Sequence, residues 1–528
     1  RPTPHLPRMG APGGLGGSLR FRTSTAWLTA KTLGSLWANP AATAAQAYVG
    51  ISRPSVLVTT GMGRCRAMTS AAGQPTPDTH PHLMKSGELT PGFSADEYRR
   101  RRRALAERLP ANSVAVLAAA PAVYLPSTII PYPAYRQDAD FAYLTGVLQP
   151  GVVMMLERRP DGDDVYTLFV PPISARDAVW NGPRIGTDAA VRFFGADATH
   201  GLSIMSDVVA AAVRRASAVF ADEGRDGGAL NLAPATAPLT TTGKLHGCGP
   251  PQALRPLIHA LRWRKSPAEM QALRESVDAD IQGFHSAMQS SVPGALEYAV
   301  CADHEHRCKV LGASRLAYPS VVGSGPGALV VHYAAMDRVL RPGELLLMDA
   351  GCERRGYASD VTRTWPVGPG GFTPAQAEVY EAVLEAHASC LKAVALGVSL
   401  QDLHVLSVEV LSNCLVNLGV RDAKRLYMRY YPHSVGHWLG MDTHDTPTVP
   451  TSTPIAPGCV FTIEPGLYLP TDDLDVPKHL RGIGVRIEDD VAVMPGTGEV
   501  EVLSRALPTS VAGIESLVQD LRAGNAHV

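Results

Sequence analysis

Five side chains of metal-binding type recur in the C-terminal third of this chain, each inside a distinctive short motif. Asp349 lies in Met-Asp-Ala-Gly and Asp360, eleven residues on, in Ser-Asp-Val-Thr-Arg-Thr. His437 follows in His-Ser-Val-Gly-His-Trp-Leu-Gly, Glu464 in Thr-Ile-Glu-Pro-Gly and Glu488 in Val-Arg-Ile-Glu-Asp. Four carboxylates and one imidazole suit a pair of hard-to-borderline divalent cations when two of the carboxylates bridge them. Such a pair can hold a hydroxide and hydrolyse a peptide bond. Any fold of this chain has to bring these five separated positions to one place.

Composition narrows the alternatives. The 528 residues suffice for several domains with large cores. Charge is balanced, 48 Lys and Arg against 49 Asp and Glu, which argues against nucleic acid as a general partner. No apolar run reaches the ~18 residues of a membrane span. The eight cysteines are scattered without a Cys-x-x-Cys pair, a pattern of free thiols in a reducing compartment.

The opening residues have a different character. No Asp or Glu precedes Asp78, while arginines are spread throughout, and Trp27, Ala30, Leu33 and Trp37 fall at helical spacing beside Lys31. This is the composition of an organelle transit peptide. Residues 1–80 are therefore expected to be a disordered leader, removed between Arg66 and Lys85, with order setting in near Leu89. Mitochondrial matrix is the expected destination and plastid the alternative.

Ser94-Ala-Asp-Glu97 reads as a capping box opening a helix, and the five arginines Arg99 to Arg103 as its solvated face rather than a nucleic-acid patch. Apolar runs at 114–119, 152–156 and 166–170 read as strands, the last two forming a hairpin across Pro160-Asp-Gly-Asp-Asp. With a helix at 207–216 they define an α/β domain over residues 81–262, with a flexible insertion at 222–251 near its end. Ser266-Pro267-Ala268-Glu269 starts a long helix whose Met270, Leu273, Val277, Ile281, Phe284 and Met288 form one buried face. Thr373-Pro374-Ala375-Gln376 starts another, which Gly397 ends, and Ser399 to Asp402 a third. Residues 263–510 read as an α+β domain, with helices over a curved antiparallel sheet, and 511–528 as a C-terminal tail.

Residues 345–349 and 359–365 read as strands joined by a turn at Arg354-Arg355-Gly356. A symmetric turn would set Asp349 opposite Asp360. Alternation in Val485-Arg486-Ile487-Glu488 puts Arg486 and Glu488 on one face, which an ion pair would also explain. Among seventeen histidines, His332, His433, His437 and His444 stand out by context. His437 and His444 are too far apart for a His-Glu-x-x-His zinc helix and suit one ligand and one proton donor. Gly323-Ser-Gly-Pro-Gly327 leads into an apolar run and reads as a loop. No nucleophile elbow or Walker loop is present.

These motifs resemble those of the aminopeptidase P and prolidase group of pita-bread metallopeptidases. The resemblance rests on Leu-Ala-Tyr318-Pro, Val-His332-Tyr, the segments around Asp349 and Asp360, His433 to His444, Ile-Glu464-Pro-Gly-Leu-Tyr468 and Arg486-Ile-Glu488-Asp-Asp. Upstream, Tyr135-Arg-Gln-Asp-Ala-Asp140-Phe-Ala-Tyr-Leu-Thr-Gly146 and Trp180-Asn-Gly-Pro-Arg184 resemble the aminopeptidase P N-terminal domain. It implies an aminopeptidase acting on peptide or protein N-termini with two divalent ions, usually Mn²⁺. Asp349, Asp360, His437, Glu464 and Glu488 would be ligands, and Glu464 would also handle the proton of the attacking water. His332 and His444 would steady the carbonyl oxygen, while Tyr318, His433 and Arg486 would shape the substrate pocket together with those two histidines. Gly-Pro-Gly-Ala before Val-Val-His332 departs from the polar loop common in that group. A homo-oligomer is compatible with this reading. A prolidase-type dipeptidase, a creatine-type hydrolase and a pita-bread protein that binds peptides without cleaving them are the competing readings; all five ligand positions being filled argues against the last.

Overall fold

The computed structural model describes residues 72–128, 130–132, 134–172, 175–221 and 250–524. Most of the expected leader and of the expected insertion at 222–251 lies outside the described residues. Ala72 to His80, assigned from sequence to the leader, belong to the folded part. Gln74 Nε2 donates to Gly146 O at 3.0 Å and Gln149 Nε2 to Ala72 O at 2.8 Å, so order begins well before Leu89.

The N-terminal region is built on a five-stranded mixed sheet. Its order is Ala198–Gly201, Val165–Val170, Val153–Arg158, Ser113–Ala118 and Ala218–Phe220. The three central strands are antiparallel, with the hairpin where expected, and each edge strand runs parallel to its neighbour. Alternation along Ser113–Ala118 sends Val114, Val116 and Ala118 to one core and Ala115 and Leu117 to another. Helix Met205–Arg215 covers the first face through Val209, Ala212 and Val213. Helix Ala95–Ala106 helps cover the second through Tyr98, Leu105 and Ala106.

That helix corrects one expectation. Arg99, Arg100 and Arg103 are solvated, but Arg101 and Arg102 are buried. Arg101 stacks 4.2 Å from the Tyr143 ring and Arg102 4.0 Å from that of Tyr166, each also donating to a backbone carbonyl. Ring faces and carbonyls replace the lost water, as cation–π contacts do. Ser94 caps the helix by accepting from Glu97 N, one half of the expected box.

The C-terminal region places helices outside a set of small antiparallel sheets. The complete capping boxes at Ser266, Thr373 and Ser399 open helices Pro267–Ser290, Pro374–Ala393 and Leu400–Asn417. The second of these stops before Gly397. The first buries Val277, Ile281, Phe284 and Met288 in the main core. Residues expected to be a tail form helix Val511–Ala523, whose Ile514, Val518 and Leu521 complete that core. The Gly323–Gly327 stretch is not a loop but the end of strand Val321–Ser324 and a 3₁₀ turn, Gly325–Leu329.

Strand Leu345–Ala350 runs between Val321–Ser324 and Val361–Pro366. Beyond it, Cys352–Arg354 and Tyr357–Ala358 form a hairpin whose turn residues, Arg355 and Gly356, have φ of 54° and 80°. Two positive φ values give the twist that tight hairpins need. Its Tyr357 plugs into the N-terminal region, stacked on Phe93 at 5.4 Å and donating to Glu269 at 2.8 Å. Among the described residues no helix is long and apolar enough to cross a membrane.

Candidate metal centre

Register puts the two aspartates close, though not opposite. Asp349 pairs with Thr362, and Asp360 sits just before strand Val361–Pro366, diagonal to it. Both strand pairs share one register centred on Arg355 and Gly356, which sets Asp349 opposite Thr362 rather than Asp360. Tyr318 closes the diagonal, its hydroxyl 2.5 Å from Asp349 Oδ1 and 2.5 Å from Asp360 Oδ1.

The remaining groups arrive from the other sheets. Thr362 and Glu488 form an isolated bridge between strand ends, and Thr362 Oγ1 donates to Glu488 Oε2 at 2.7 Å. The His437 loop is pinned to strand Val460–Ile463. Thr462 N donates to His437 O and Leu439 N to Val460 O, and a Cβ at Gly436 would collide with the Thr462 carbonyl. The same strand leads directly into Glu464, whose amide donates to Val435 O. His437 Nδ1 faces the Trp438 carbonyl at 3.2 Å, which directs Nε2 towards Asp360 Oδ2 at 3.3 Å and Glu464 Oε1 at 3.7 Å. That is the tautomer a metal-ligating imidazole needs. Ligand atoms of Asp360, His437 and Glu488 all lie within 4.8 Å of one another.

The site is graded in depth. Asp360 and Glu488 form a buried floor, Asp349, His437 and Glu464 are half-buried, and His332 and His444 are exposed at the rim. The His444 ring centroid is 4.2 Å from that of His437. His433 Nε2 meets the Tyr468 hydroxyl at 2.9 Å, with Nδ1 3.7 Å from Glu464 Oε2. Arg486, expected on the substrate wall, is 1 % exposed and faces inward. Its guanidinium donates to Asp349 Oδ2 and to the Tyr468 hydroxyl, both at 2.6 Å, and to Thr362 Oγ1 at 3.2 Å. Tyr318 likewise points at carboxylates.

Negative charge exceeds positive here, and the pKa values register it. Burial, then the charges of Asp360 and Asp349, push Glu464 up to about 7 against the pull of His437. Burial, with Asp360, Glu464 and Asp349 around it, drives Glu488 well above the carboxylate range. Burial opposes protonation of His437, yet Asp360 and Glu464 raise it to about 9. Burial and then Arg486 bring His433 down to about 4. A set of oxygen donors plus one imidazole that repel one another until a cation arrives fits divalent metal.

Thr362, Asp490 and Tyr468 were not singled out from sequence as functional. Asp490 Oδ2 accepts from Asp360 N at 3.1 Å. The signal was available: Thr362 and Asp490 each stand two residues after a ligand, on the same strand face.

Comparison with known proteins decides the family. Residues 271–495 match the model of metallopeptidase family M24, and residues 98–220 that of the aminopeptidase P N-terminal domain. The chain is 40 % identical to intermediate cleaving peptidase 55, mitochondrial, of Arabidopsis thaliana, across 85 % of this chain and 88 % of that protein. The chain belongs to metallopeptidase family M24. Within this M24 group it is also 37 % identical to human Xaa-Pro aminopeptidase 3, over 84 % and 90 % of the two chains. Aminopeptidase P of E. coli superposes with a TM-score of 0.75 at 34 % identity, over 81 % of this chain and 99 % of the other. The pita-bread architecture is thereby established, and the M24 chain is a metallo-aminopeptidase.

Proposed function

We propose that Asp349, Asp360, His437, Glu464 and Glu488 hold two divalent ions, Mn²⁺ by choice, with Asp360 and Glu488 shared between them. The observation that carries this is the convergence of four carboxylates and His437 with Arg486 as the one fixed cation bonded among them. Bound divalent ions would supply Lewis acidity and lower the pKa of a coordinated water. The protein's own groups do the rest. Glu464, beside His437 and His433, accepts the proton of the attacking water and passes it to the leaving amine. His332 and His444 at the rim donate to the carbonyl oxygen of the first peptide bond as charge develops on it. Arg486 and Tyr318 act through the carboxylates, holding Asp349 and Asp360 in place. His433 shapes the pocket through Tyr468.

The substrate is the free N-terminus of a peptide or protein, from which one residue is removed. Xaa-Pro peptides and freshly processed organelle precursors are the two substrate classes, and the similarity to intermediate cleaving peptidase 55 favours the second. The acid-free, arginine-bearing leader and that relative's mitochondrial name support import into mitochondria, with the matrix as destination. Cleavage of the leader falls on the N-terminal side of Ala72, since Ala72 and Gln74 are bonded into the fold.

Peptides of increasing length, with and without proline at the second position, test the assignment on Mn²⁺-loaded protein. Release of single residues from long peptides is expected; cleavage confined to dipeptides would replace it with a prolidase-type reading. N-terminal profiling of mitochondrial proteins with and without the enzyme tests precursor trimming, and accumulation of one-residue-longer N-termini is the expected result.

A further inference from the structure

Behind the catalytic strands lies a second group of metal-type side chains that peptide hydrolysis does not use. Asp280 comes from helix Pro267–Ser290, and His304 and Cys308 from successive turns of helix Glu297–Val310. All three are sealed from solvent, and one ligand atom from each lies within 4.8 Å of the others. His304 Nε2 is 2.7 Å from Asp280 Oδ1 and 3.7 Å from Cys308 Sγ. Asp280 Oδ2 is buried without a hydrogen-bond partner, although the Ser359 hydroxyl stands near the carboxylate.

The helix opposite is shaped for this approach. Gly283 faces the group, and a Cβ there would lie 2.6 Å from His304 Cδ2 and 2.7 Å from Cys308 Sγ. An aspartate–histidine pair alone needs neither the thiol nor the missing Cβ. Packed among Ala279, Ala313, Leu311 and Cys352, an ionised carboxylate is costly unless fully paired.

We propose that Asp280, through both oxygens, His304 Nε2 and Cys308 Sγ form a buried structural zinc site, separate from the catalytic pair. The donor set is oxygen, nitrogen and sulphur, the mixture a borderline cation takes. On binding, the Cys308 thiol gives up its proton. Thiolate and carboxylate then balance the double charge, so the dry pocket holds a neutral unit. Tetrahedral zinc with bonds of ~2.3 Å to sulphur and ~2.0 Å to nitrogen sets those two atoms about 3.5 Å apart. The observed 3.7 Å is close to that, and the Asp280–His304 contact needs to open by only about half an ångström by the same geometry. Being closed to solvent, the site fills during folding and clamps two helices against the segment leading to Asp360.

The test uses the full chain expressed with cobalt in place of zinc. None of the five catalytic ligands carries sulphur, so thiolate-to-cobalt charge-transfer absorption reports the second site alone. The band is expected in wild type and in His437→Ala, and should vanish in Cys308→Ser, which changes one atom and is checked for folding by circular dichroism. Metal analysis of zinc-grown protein should show Cys308→Ser and Asp280→Asn each one ion short, with peptidase activity retained. An active cobalt enzyme without the band, or a band that survives Cys308→Ser, would overturn the site.

Discussion

Asp140 and Glu488 are each 1 % exposed, yet their environments drive them in opposite directions. Burial alone would raise Asp140, but Arg262 and His259 bring it down to about 2. It belongs to a network joining the two regions, in which Asp140, Asp442 and Asp445 meet Arg136, Arg255, Arg262 and Lys265. Glu488 stands among Asp349, Asp360 and Glu464, with Arg486 and His437 as the cations at hand. One cluster is complete as folded. The other carries a deficit of positive charge, met without ligand only by protons its crowded groups retain, and the deficit marks it as functional.

Substitutions in the two clusters should have unequal effects. The largest effect is expected from Asp360→Ala or Glu488→Ala, which should abolish peptide hydrolysis at any metal concentration, because each would remove a group proposed to be shared by two cations. Metal analysis and turnover check this together, and wild-type-like turnover in either variant sinks the dinuclear assignment. In the compensated cluster, Arg262→Met removes the guanidinium that Asp140 and Asp445 share, leaving Arg255 and Lys265 as their partners, and should cost about 3 kcal/mol of stability. Urea unfolding measures it; a change below about 1 kcal/mol would place this network with surface pairs, which contribute that little.

His444→Ala and His332→Ala should keep both metals and slow hydrolysis by roughly 10²-fold, the scale of one lost transition-state donor. Loss of metal as complete as in His437→Ala would reject the division between ligands and donors. Smaller and purely electrostatic is the proton count. At pH 7 the metal-free site holds the His437 proton, since that group sits at about 9, and part of Glu464's, at about 7. Loading metal must expel them, so calorimetric heats should depend on the ionisation enthalpy of the buffer. Heats identical in all buffers would deny the charge deficit.

The smallest effect is in acid. Asp140 is depressed from 3.8 to about 2, so its stabilisation is full above the unfolded value and drains away as pH falls through the folded one. Asp140→Asn should flatten the acid limb of stability between those values while lowering the plateau. An unchanged limb counts against the network's role.

How much of this was legible beforehand follows from what each feature depends on. The capping boxes at Ser266, Thr373 and Ser399 are local patterns, and they held; the five candidate ligand positions are local motifs too, and the fold brings them to one place. The offset of Asp349 and Asp360 depends on the turn falling at Arg355 and Gly356, one residue later than a pairing of the two aspartates would need, which no property of the aspartates encodes. Arg101 and Arg102 look like solvated charges because what buries them, Tyr143 and Tyr166, lies far along the chain. The inward turn of Arg486 was half-visible: alternation put it beside Glu488, but its partners Asp349 and Tyr468 come from other strands. Local chemistry survives a reading by spacing; long-range company does not.

The hairpin carrying Tyr357 also acts as a mechanical link. Two residues separate that tyrosine, wedged between Phe93 and Glu269, from Asp360 on the floor of the site. A shift of the N-terminal region would tug on this short tether and move the Asp360 carboxylate. The hairpin is thus a strut as well as a turn: a displacement of Phe93 in the N-terminal region would be passed along it to a carboxylate of the site.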